Sequence, residues 1–300
     1  MDEDDFSFLF EIAKGQLRRH LVVANGVDMH SLEAVVMAVK MGIVTVTITG
    51  DEKLIVASCQ KLNFESDAYQ IIHCKTEVEA AEKAVEMVRS GKANLIMKGL
   101  ISTDLFMKAI LNKEKGILPP GTLLTHVTLL KNPMYHKPLL ISDVAIIPLP
   151  DLYQKKQITT YLIEAAHRLG IQQPRVAFIA ATEKVTSKMP ATIDAQALKE
   201  MWENGEFAPS FCDGPMALDV ALDKGSAEIK NIHSEVAGNA DCLLFPNIEA
   251  GNVFYKTNTK LSKVTIAAIV MGTTVPTVLS SRGDTTKTKL NSIALAAMLG

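Results

Sequence analysis

Short apolar runs alternate with amphipathic segments along the first hundred residues of the chain. The runs at 21–24, 44–49, 69–73 and 94–97 have the length and composition of buried strands. Between them, apolar residues recur at intervals of three and four, as in helices that pack by one face. Strands that alternate with helices favour a parallel sheet covered by helices on both faces, so we predict an α/β fold.

The regular alternation breaks near the middle of the chain. Two β-rich runs, 122–130 and 139–147, follow each other without a long helix between them, and a proline-bearing segment, 131–138, joins them. A break of this kind is expected where a chain passes from one domain to the next. We therefore predict two α/β domains, with the first crossing in this segment.

The loop after the fourth apolar run has the composition of an anion-binding loop. It carries, in order, Lys98, Gly99, Ser102 and Thr103, just ahead of a predicted helix. Glycine lets the backbone approach a ligand closely, and free N–H groups at a helix N-terminus attract phosphate. We expect Lys98, Ser102 and Thr103 to bind substrate. The alternative is that one hydroxyl, or Asp104, only caps the helix. The chain has neither the P-loop pattern nor GxGxxG.

A second candidate loop lies within the segment 241–256, which predicts a buried strand, a turn and a helix, with Pro246 closing the strand. In open α/β sheets, ligands bind outside the carboxyl ends of strands. Four residues of the turn are therefore expected to face a ligand: Asn247, Glu249, Gly251 and Asn252. The alternative is an ordinary strand, turn and helix with a polar loop.

Composition and charge exclude several classes of function. Apolar residues make up 48% of the chain and the formal net charge is −2, so the protein is globular and a basic face for nucleic acid is not indicated. The four cysteines are scattered, without a CxxC or a histidine at ligand spacing, which favours reduced structural thiols and no metal site. The acidic start, 1–5, differs from a signal peptide, and no apolar run reaches the length of a membrane span. The expected compartment is the cytoplasm, with no membrane partner.

Nine short segments carry a resemblance that none of them carries alone. They are 97–102, 108–114, 125–126, 136–143, 188–194, 213–219, 234–238, 246–252 and 281–282. In this order, and over nearly the whole chain, they resemble the phosphate acyltransferases, the family of phosphate acetyltransferase and phosphate butyryltransferase. Met97-Lys-Gly-Leu and Leu111-Asn-Lys-Glu are more similar to the butyryl branch than to the acetyl branch.

The resemblance implies a three-layer αβα fold of the isocitrate and isopropylmalate dehydrogenase type, with two lobes and an active site in the cleft between them. The lobes would be 1–135 with 272–300, and 136–271. The implied activity is reversible transfer of a straight or branched acyl group of about four or five carbons between CoA and inorganic phosphate, without a metal or redox cofactor. Acyl-CoA and phosphate would be the substrates of a homodimer or a higher homo-oligomer.

The resemblance also implies roles for individual residues. Arg282 would hold the phosphate, because a guanidinium offers a planar bidentate fork, and Ser281 would stabilise the oxyanion of the tetrahedral intermediate. Lys108 lies about where the acetyl branch has an anion-binding arginine. At this position a lysine ammonium group, which is a point charge, would replace a planar guanidinium group.

The general base is not assigned by the resemblance. The acetyl branch has an aspartate about seven residues after the serine, whereas the segment 285–289 of this chain has no carboxylate. Asp284 is close enough in sequence to substitute for it. Glu183, Asp143 and Glu249 are the open alternatives.

Other interpretations compete with a butyryl-type transferase. Phosphate acetyltransferase activity is the alternative within the family. A dehydrogenase on the same scaffold would need acidic metal ligands and an arginine cluster, and the predicted strand ends are poor in arginine. The missing aspartate leaves open a non-catalytic module that binds acyl-CoA or phosphate. His126 and His136 are weaker acid–base candidates, because a histidine beside a strand is more often hydrogen-bonded structure.

Overall fold

The computed structural model describes residues 6–15, 17–207, 209–262, 264–279 and 283–300. The chain forms two compact units. Unit 1 consists of Met1–Leu124 and Ala267–Gly300, and unit 2 consists of Thr125–Ile266.

Strands and helices alternate along most of the described chain. The strands are β1 (Arg19–Ala24), β2 (Val44–Gly50), β3 (Gln70–His73), β4 (Leu95–Lys98), β5 (Thr125–Lys131), β6 (Leu139–Ser142), β7 (Arg175–Ile179), β8 (Phe211–Met216), β9 (Cys242–Leu244), β10 (Thr265–Met271) and β11 (Thr277–Val278). The helices are α1 (Ser7–Lys14), α2 (Met29–Lys40), α3 (Glu52–Lys61), α4 (Glu77–Arg89), α5 (Thr103–Ile110), α6 (Leu152–Arg168), α7 (Pro190–Glu203), α8 (Leu218–Leu222), α9 (Lys224–Ile229), α10 (Ile248–Leu261) and α11 (Thr286–Leu299). The predicted α/β class is confirmed. Within the described ranges, no helix is both long enough and apolar enough to cross a membrane.

Unit 1 contains a sheet in which β3, β2, β1, β4 and β11 lie side by side in this order and run parallel. β10 pairs antiparallel with β11. A buried apolar cluster joins β1 and β4 to α4 and α5 through side chains such as Val22, Ile96, Val85 and Phe106. Because parallel neighbours end at one edge of a sheet, the loops that follow β1, β4 and β11 share that edge.

Unit 2 contains a sheet in which β5, β6, β9, β7 and β8 lie side by side in this order. β5 is antiparallel to β6, whereas β6, β9, β7 and β8 run parallel. Its buried cluster includes Leu139, Ala177, Met216, Val220 and Leu243. The loops after β6, β7, β8 and β9 therefore leave from one edge of this sheet.

The unit boundaries fall at other positions than the predicted domain boundaries. A division after residue 135 would separate β5 from β6, but these two strands pair, with Thr128 opposite Ile141 and Leu130 opposite Leu139. The first boundary therefore lies between Leu124 and Thr125, and the second lies between Ile266 and Ala267 instead of after residue 271.

The four cysteines, Cys59, Cys74, Cys212 and Cys242, are buried free thiols, as the expectation of reduced structural cysteines requires. Burial disfavours the thiolate, so the pKa of Cys212 rises to about 12 and that of Cys242 lies well above its ordinary value. Protonated, buried thiols are poor nucleophiles.

Candidate functional site

Lys98 lies at the carboxyl end of β4 and is only 4% exposed. Its Nζ donates hydrogen bonds to the carbonyl oxygens of Ile101, at 2.9 Å, and Gly99, at 3.3 Å. The ammonium group thus holds the loop that follows its own strand. A cation placed beneath a loop also adds positive potential there, which suits an anionic ligand.

Gly99 allows this loop to lie against the end of β1. A Cβ atom at position 99 would lie 2.5 Å from the carbonyl oxygen of Asn25. The backbone N–H groups of Gly99 and Leu100 donate to the carbonyls of Ala24 and Asn25, each at 2.9 Å. Gly99 was predicted to let the backbone approach a ligand closely. In the structure, the backbone at Gly99 closely approaches the end of β1. Asn25, with a left-handed φ of 54°, was not predicted to take part, although the Asn-Gly pair at 25–26 is a turn signal.

Ser102 caps helix α5, and its Oγ accepts a hydrogen bond from the backbone N–H of Leu105 at 3.2 Å. Ser102 therefore has the helix-capping role that was the alternative to substrate binding. Thr103, the first residue of α5, is exposed at the same end of the helix. Contact of either hydroxyl with a substrate stays a prediction.

Lys108 lies in the last turn of α5, roughly 7.5 Å along the helix axis from Thr103 at 1.5 Å per residue. It lines a groove of about 480 Å³ between α4 and α5, together with Glu82, Glu86 and Arg89. The structure therefore separates Lys108 from the Lys98 loop along the helix. A role for Lys108 in substrate binding stays a prediction.

Three residues predicted to be catalytic precede α11. Ser281 and Arg282 lie outside the described residues, and their roles stay predictions. Asp284 is partly exposed and stands immediately before Thr285, whose side chain caps α11 by accepting from the N–H of Thr288 at 3.1 Å. Asp284 thus lies two residues before the first residue of α11.

The second predicted loop follows β9 in unit 2 and leads into α10. Asn247 caps α10 through its side chain, which accepts from the N–H of Ala250 at 3.0 Å. Asn252 donates its Nδ2 hydrogen to the carbonyl of Val144 at 2.9 Å. Glu249 is exposed in the first turn. The two asparagines therefore have local structural partners, which sequence alone could not name.

Gly251 is buried where α10 passes over the loop after β6. A Cβ atom at this position would lie 2.2 Å from the carbonyl oxygen of Asp143 and 3.2 Å from the ring of Phe245. The glycine thus sets the distance between α10 and this loop. Packing explains its presence, and ligand contact stays a separate prediction.

Asp143, one of the four candidate bases, is 2% exposed. Its carboxylate accepts hydrogen bonds from the backbone N–H groups of Ala145, Ile146 and Ile147, at 2.7 to 3.2 Å, and from the hydroxyl of Thr125 at 3.0 Å. Four donors occupy this carboxylate, and the hydrogen bonds fix the loop after β6.

Glu183, a second candidate base, is also engaged. Its Oε1 accepts from the N–H of Ala217 at 3.3 Å and from Nζ of Lys230 at 3.2 Å. Lys230 forms a second ion pair with Asp219 at 3.0 Å, and the pKa of Asp219 is lowered mainly by that hydrogen bond. Glu183 therefore belongs to a surface network of unit 2.

The two histidines considered for acid–base chemistry have hydrogen-bonding partners in unit 2. His126 is buried, and its Nδ1 lies 3.2 Å from Oγ1 of Thr128. Nε2 of His136 lies 3.2 Å from Oδ1 of Asn239. These contacts agree with the structural interpretation of both side chains.

Comparisons with known proteins agree with one another over nearly the whole chain. The sequence model of a family described as "Phosphate acetyl/butaryl transferase" matches residues 73–297. The chain is 40% identical to the phosphate butyryltransferase of Clostridium acetobutylicum over 294 residues, which cover 98% of this chain and 97% of that protein. It is 38% identical to the phosphate acetyltransferase of Thermotoga maritima over 97% of this chain and 98% of that one.

A solved structure of similar fold is that of a branched-chain phosphotransacylase from Enterococcus faecalis V583. The TM-score is 0.82 at 26% sequence identity, and the match covers 94% of this chain and 98% of the other.

Proposed function

Because this chain belongs to the phosphate acetyl/butyryl transferase family, we propose that it is a phosphate acyltransferase that transfers a short acyl group between CoA and inorganic phosphate. The observation that carries the proposal is the similarity to a phosphate butyryltransferase along nearly the full length of both chains. The proposed acyl group has about four or five carbons, straight or branched. Acetyl is the second candidate, since a phosphate acetyltransferase is almost as similar.

The proposed reaction balances without an oxidant, a reductant or a metal. A phosphate oxygen attacks the thioester carbonyl, the new C–O bond forms, the C–S bond breaks, and the CoA sulfur leaves and takes up a proton. In the reverse direction the thiol gives up that proton and attacks the acyl phosphate. Arg282 is proposed to hold the phosphate by two parallel hydrogen bonds, and Ser281 to donate to the oxyanion of the tetrahedral intermediate.

Asp284 is proposed to exchange the proton with the CoA sulfur. It lies two positions after Arg282 in the sequence and is partly exposed before the N-cap of α11. Asp143 and Glu183 are less suitable, because their carboxylates already accept hydrogen bonds from other parts of unit 2. Glu249 is the remaining alternative.

The test is release of free thiol from acetyl-, butyryl- and isovaleryl-CoA, with and without phosphate, followed with a thiol-reactive dye. We expect phosphate-dependent release that is fastest with butyryl- or isovaleryl-CoA. Fastest release from acetyl-CoA would move the protein to the acetyl branch. Thermal stabilisation by CoA or phosphate without release from any substrate would favour the non-catalytic binding module. The protein's own thiols are buried and should contribute a small, slow background.

Arg282→Ala is expected to raise the KM for phosphate by about ten- to hundredfold, because a charged hydrogen-bond partner of the phosphate is lost. Arg282→Lys should recover only part of this loss, since an ammonium group keeps the charge but lacks the planar fork. Initial rates against phosphate concentration at saturating acyl-CoA measure both. The control is Arg89→Ala, which removes an exposed arginine at the end of α4. An unchanged phosphate KM in Arg282→Ala would remove Arg282 from the proposed site.

The proposal includes a homodimeric assembly, a cytoplasmic location and activity without an added cofactor. Light scattering of the purified protein tests the assembly. Activity without an added cofactor is tested by assaying turnover after treatment with a chelator and dialysis, and we expect turnover to persist.

A further inference from the structure

Leu100 is an apolar residue on the surface of unit 1, in the loop 99–101 that follows β4. Its side chain is 40% exposed, whereas its neighbour Ile101 is fully buried in the cluster with Val22 and Phe106. A single exposed leucine is common on protein surfaces and carries no argument by itself. The backbone that holds Leu100 is less common, because surface loops are usually more mobile than the elements they connect.

Every backbone donor and acceptor of this loop has a partner. The N–H groups of Gly99 and Leu100 donate to the end of β1, and that of Ile101 donates to the carbonyl of Gly99 at 3.0 Å. The carbonyls of Gly99 and Ile101 also accept from Nζ of Lys98. The carbonyl of Leu100 accepts from Nδ2 of Asn25 at 2.5 Å. These N–H groups are therefore not available to bind phosphate, and the loop exposes the side chain of Leu100 instead.

Asn25 holds Leu100 through both backbone groups of that residue. The carbonyl of Asn25 accepts from the N–H of Leu100 at 2.9 Å, and its side chain donates to the carbonyl of Leu100. Asn25 has a left-handed φ of 54°, in which asparagine is enriched, and its own N–H donates to Oγ1 of Thr49 at 3.2 Å. Hydrogen bonds to β1 and β2 thus fix the backbone of Leu100 at the end of the sheet.

The loop leaves the sheet at the edge where ligands of α/β proteins bind. β4 and β11 are parallel, with Val278 opposite Met97, so the chain leaves both strands side by side. In the sequence, β11 is followed by Ser281, which the proposed function assigns to the oxyanion that forms on the acyl carbonyl. Phosphate is fully polar and CoA carries a charged nucleotide. The short acyl chain is therefore the apolar group that a leucine at this edge would bind.

We propose that Leu100 contacts the acyl chain and favours groups of four or five carbons over acetyl, with Asn25 as the residue that positions it. This inference rests on the proposed function, because it takes the ligand to be an acyl-CoA or an acyl phosphate. An acetyl group ends at the carbon next to the carbonyl, so it reaches less of the leucine than a butyryl chain does. Each methylene that leaves water favours binding, and the contact gives a preference for the longer chain.

Leu100→Ala tests the contact through the ratio of kcat/KM for butyryl-CoA to kcat/KM for acetyl-CoA, measured by phosphate-dependent thiol release. We expect the ratio to fall by about tenfold, because the apolar partner of two methylenes is lost. Leu100→Met keeps a similar apolar volume and should stay within about twofold of the unmodified protein. Leu111→Ala is the matched control, because this leucine is 43% exposed and lies roughly 12 Å along α5 from Thr103. Its ratio should not change.

Asn25→Gly tests the positioning role. Glycine adopts the left-handed φ without strain, but it removes the amide that donates to the carbonyl of Leu100. We expect the same ratio to fall by about threefold, as for one lost hydrogen bond, and the KM for phosphate to stay within about twofold. A general loosening of unit 1 would lower both values of kcat/KM equally. An unchanged ratio would therefore overturn the assignment of Asn25.

Binding without turnover separates this inference from the proposed function. Isothermal titration calorimetry without phosphate compares acetyl-CoA with butyryl-CoA, which differ by two methylenes. We expect the unmodified protein to bind butyryl-CoA about tenfold more tightly, and Leu100→Ala to bind the two within about threefold of each other. If the unmodified protein has this preference but releases no thiol, the transferase proposal fails and the acyl contact stands.

Three results would overturn the assignment of Leu100. The first is an unmodified protein that binds the two acyl-CoAs equally well. The second is a Leu100→Ala variant that keeps the full preference for butyryl-CoA in turnover and in binding. The third is a Leu111→Ala variant that loses this preference to the same extent.

Discussion

Asp241→Ala is expected to lower the free energy of unfolding by about 3 kcal/mol. The carboxylate precedes β9 and is 4% exposed. Its two oxygens accept from Nζ of Lys137 at 2.6 Å and from the backbone N–H of Arg175 at 2.8 Å. Alanine would leave the ammonium group with one carbonyl partner and the N–H with none. The value lies at the lower end for a broken buried pair because Lys137 keeps some contact with water.

Urea unfolding followed by tryptophan fluorescence measures this change within unit 2. The chain has one tryptophan, Trp202, which lies in α7 and donates its Nε1 hydrogen to the carbonyl of Ser210. The control is Glu235→Ala, which removes an exposed carboxylate 3.8 Å from the same Arg175. An exposed pair contributes little, so this variant should lie within about 0.5 kcal/mol of the unmodified protein. Equal destabilisation by the two variants would show that burial of Asp241 adds nothing.

The sequence predicts where the strands lie in the chain better than it predicts which strands pair. The runs 44–49 and 94–97 correspond to β2 and β4, because β-branched and apolar residues suit a buried strand whatever lies beside it. The compact units divide before β5 and not after residue 135, because β5 pairs with β6. That pairing is a contact between two segments, and it cannot be inferred from the residues of either segment alone.

The candidate site shows the same limit for single side chains. Lys98 and Ser102 were predicted from a composition that suits phosphate. In the structure they also hold a loop and cap a helix. Asn25 was not predicted, because its hydrogen bond to the carbonyl of Leu100 depends on the pairing of β1 with β4.

Gly251→Ala is expected to lower the free energy of unfolding of unit 2 by about 3 kcal/mol, near the upper end for an overpacked site. The added methyl would lie 2.2 Å from the carbonyl oxygen of Asp143, and backbone cannot move aside as a flexible side chain can. The loop is fixed there by the four hydrogen bonds to Asp143, and α10 is tied to it by Asn252. Trp202 fluorescence again reports the transition.

Gly225→Ala provides the control for the same substitution in a helix of unit 2. A Cβ atom at position 225 would meet only the carboxylate of Asp223, at 3.3 Å, so the cost of contact is small. Alanine favours a helix over glycine by about 1 kcal/mol, and this variant should be neutral or more stable. The two interpretations of Gly251 then give different results. If the glycine only admits a ligand, Gly251→Ala will unfold like the unmodified protein and lose thiol release. If it sets the distance between α10 and the loop, stability will fall first, and activity will follow the fraction that remains folded.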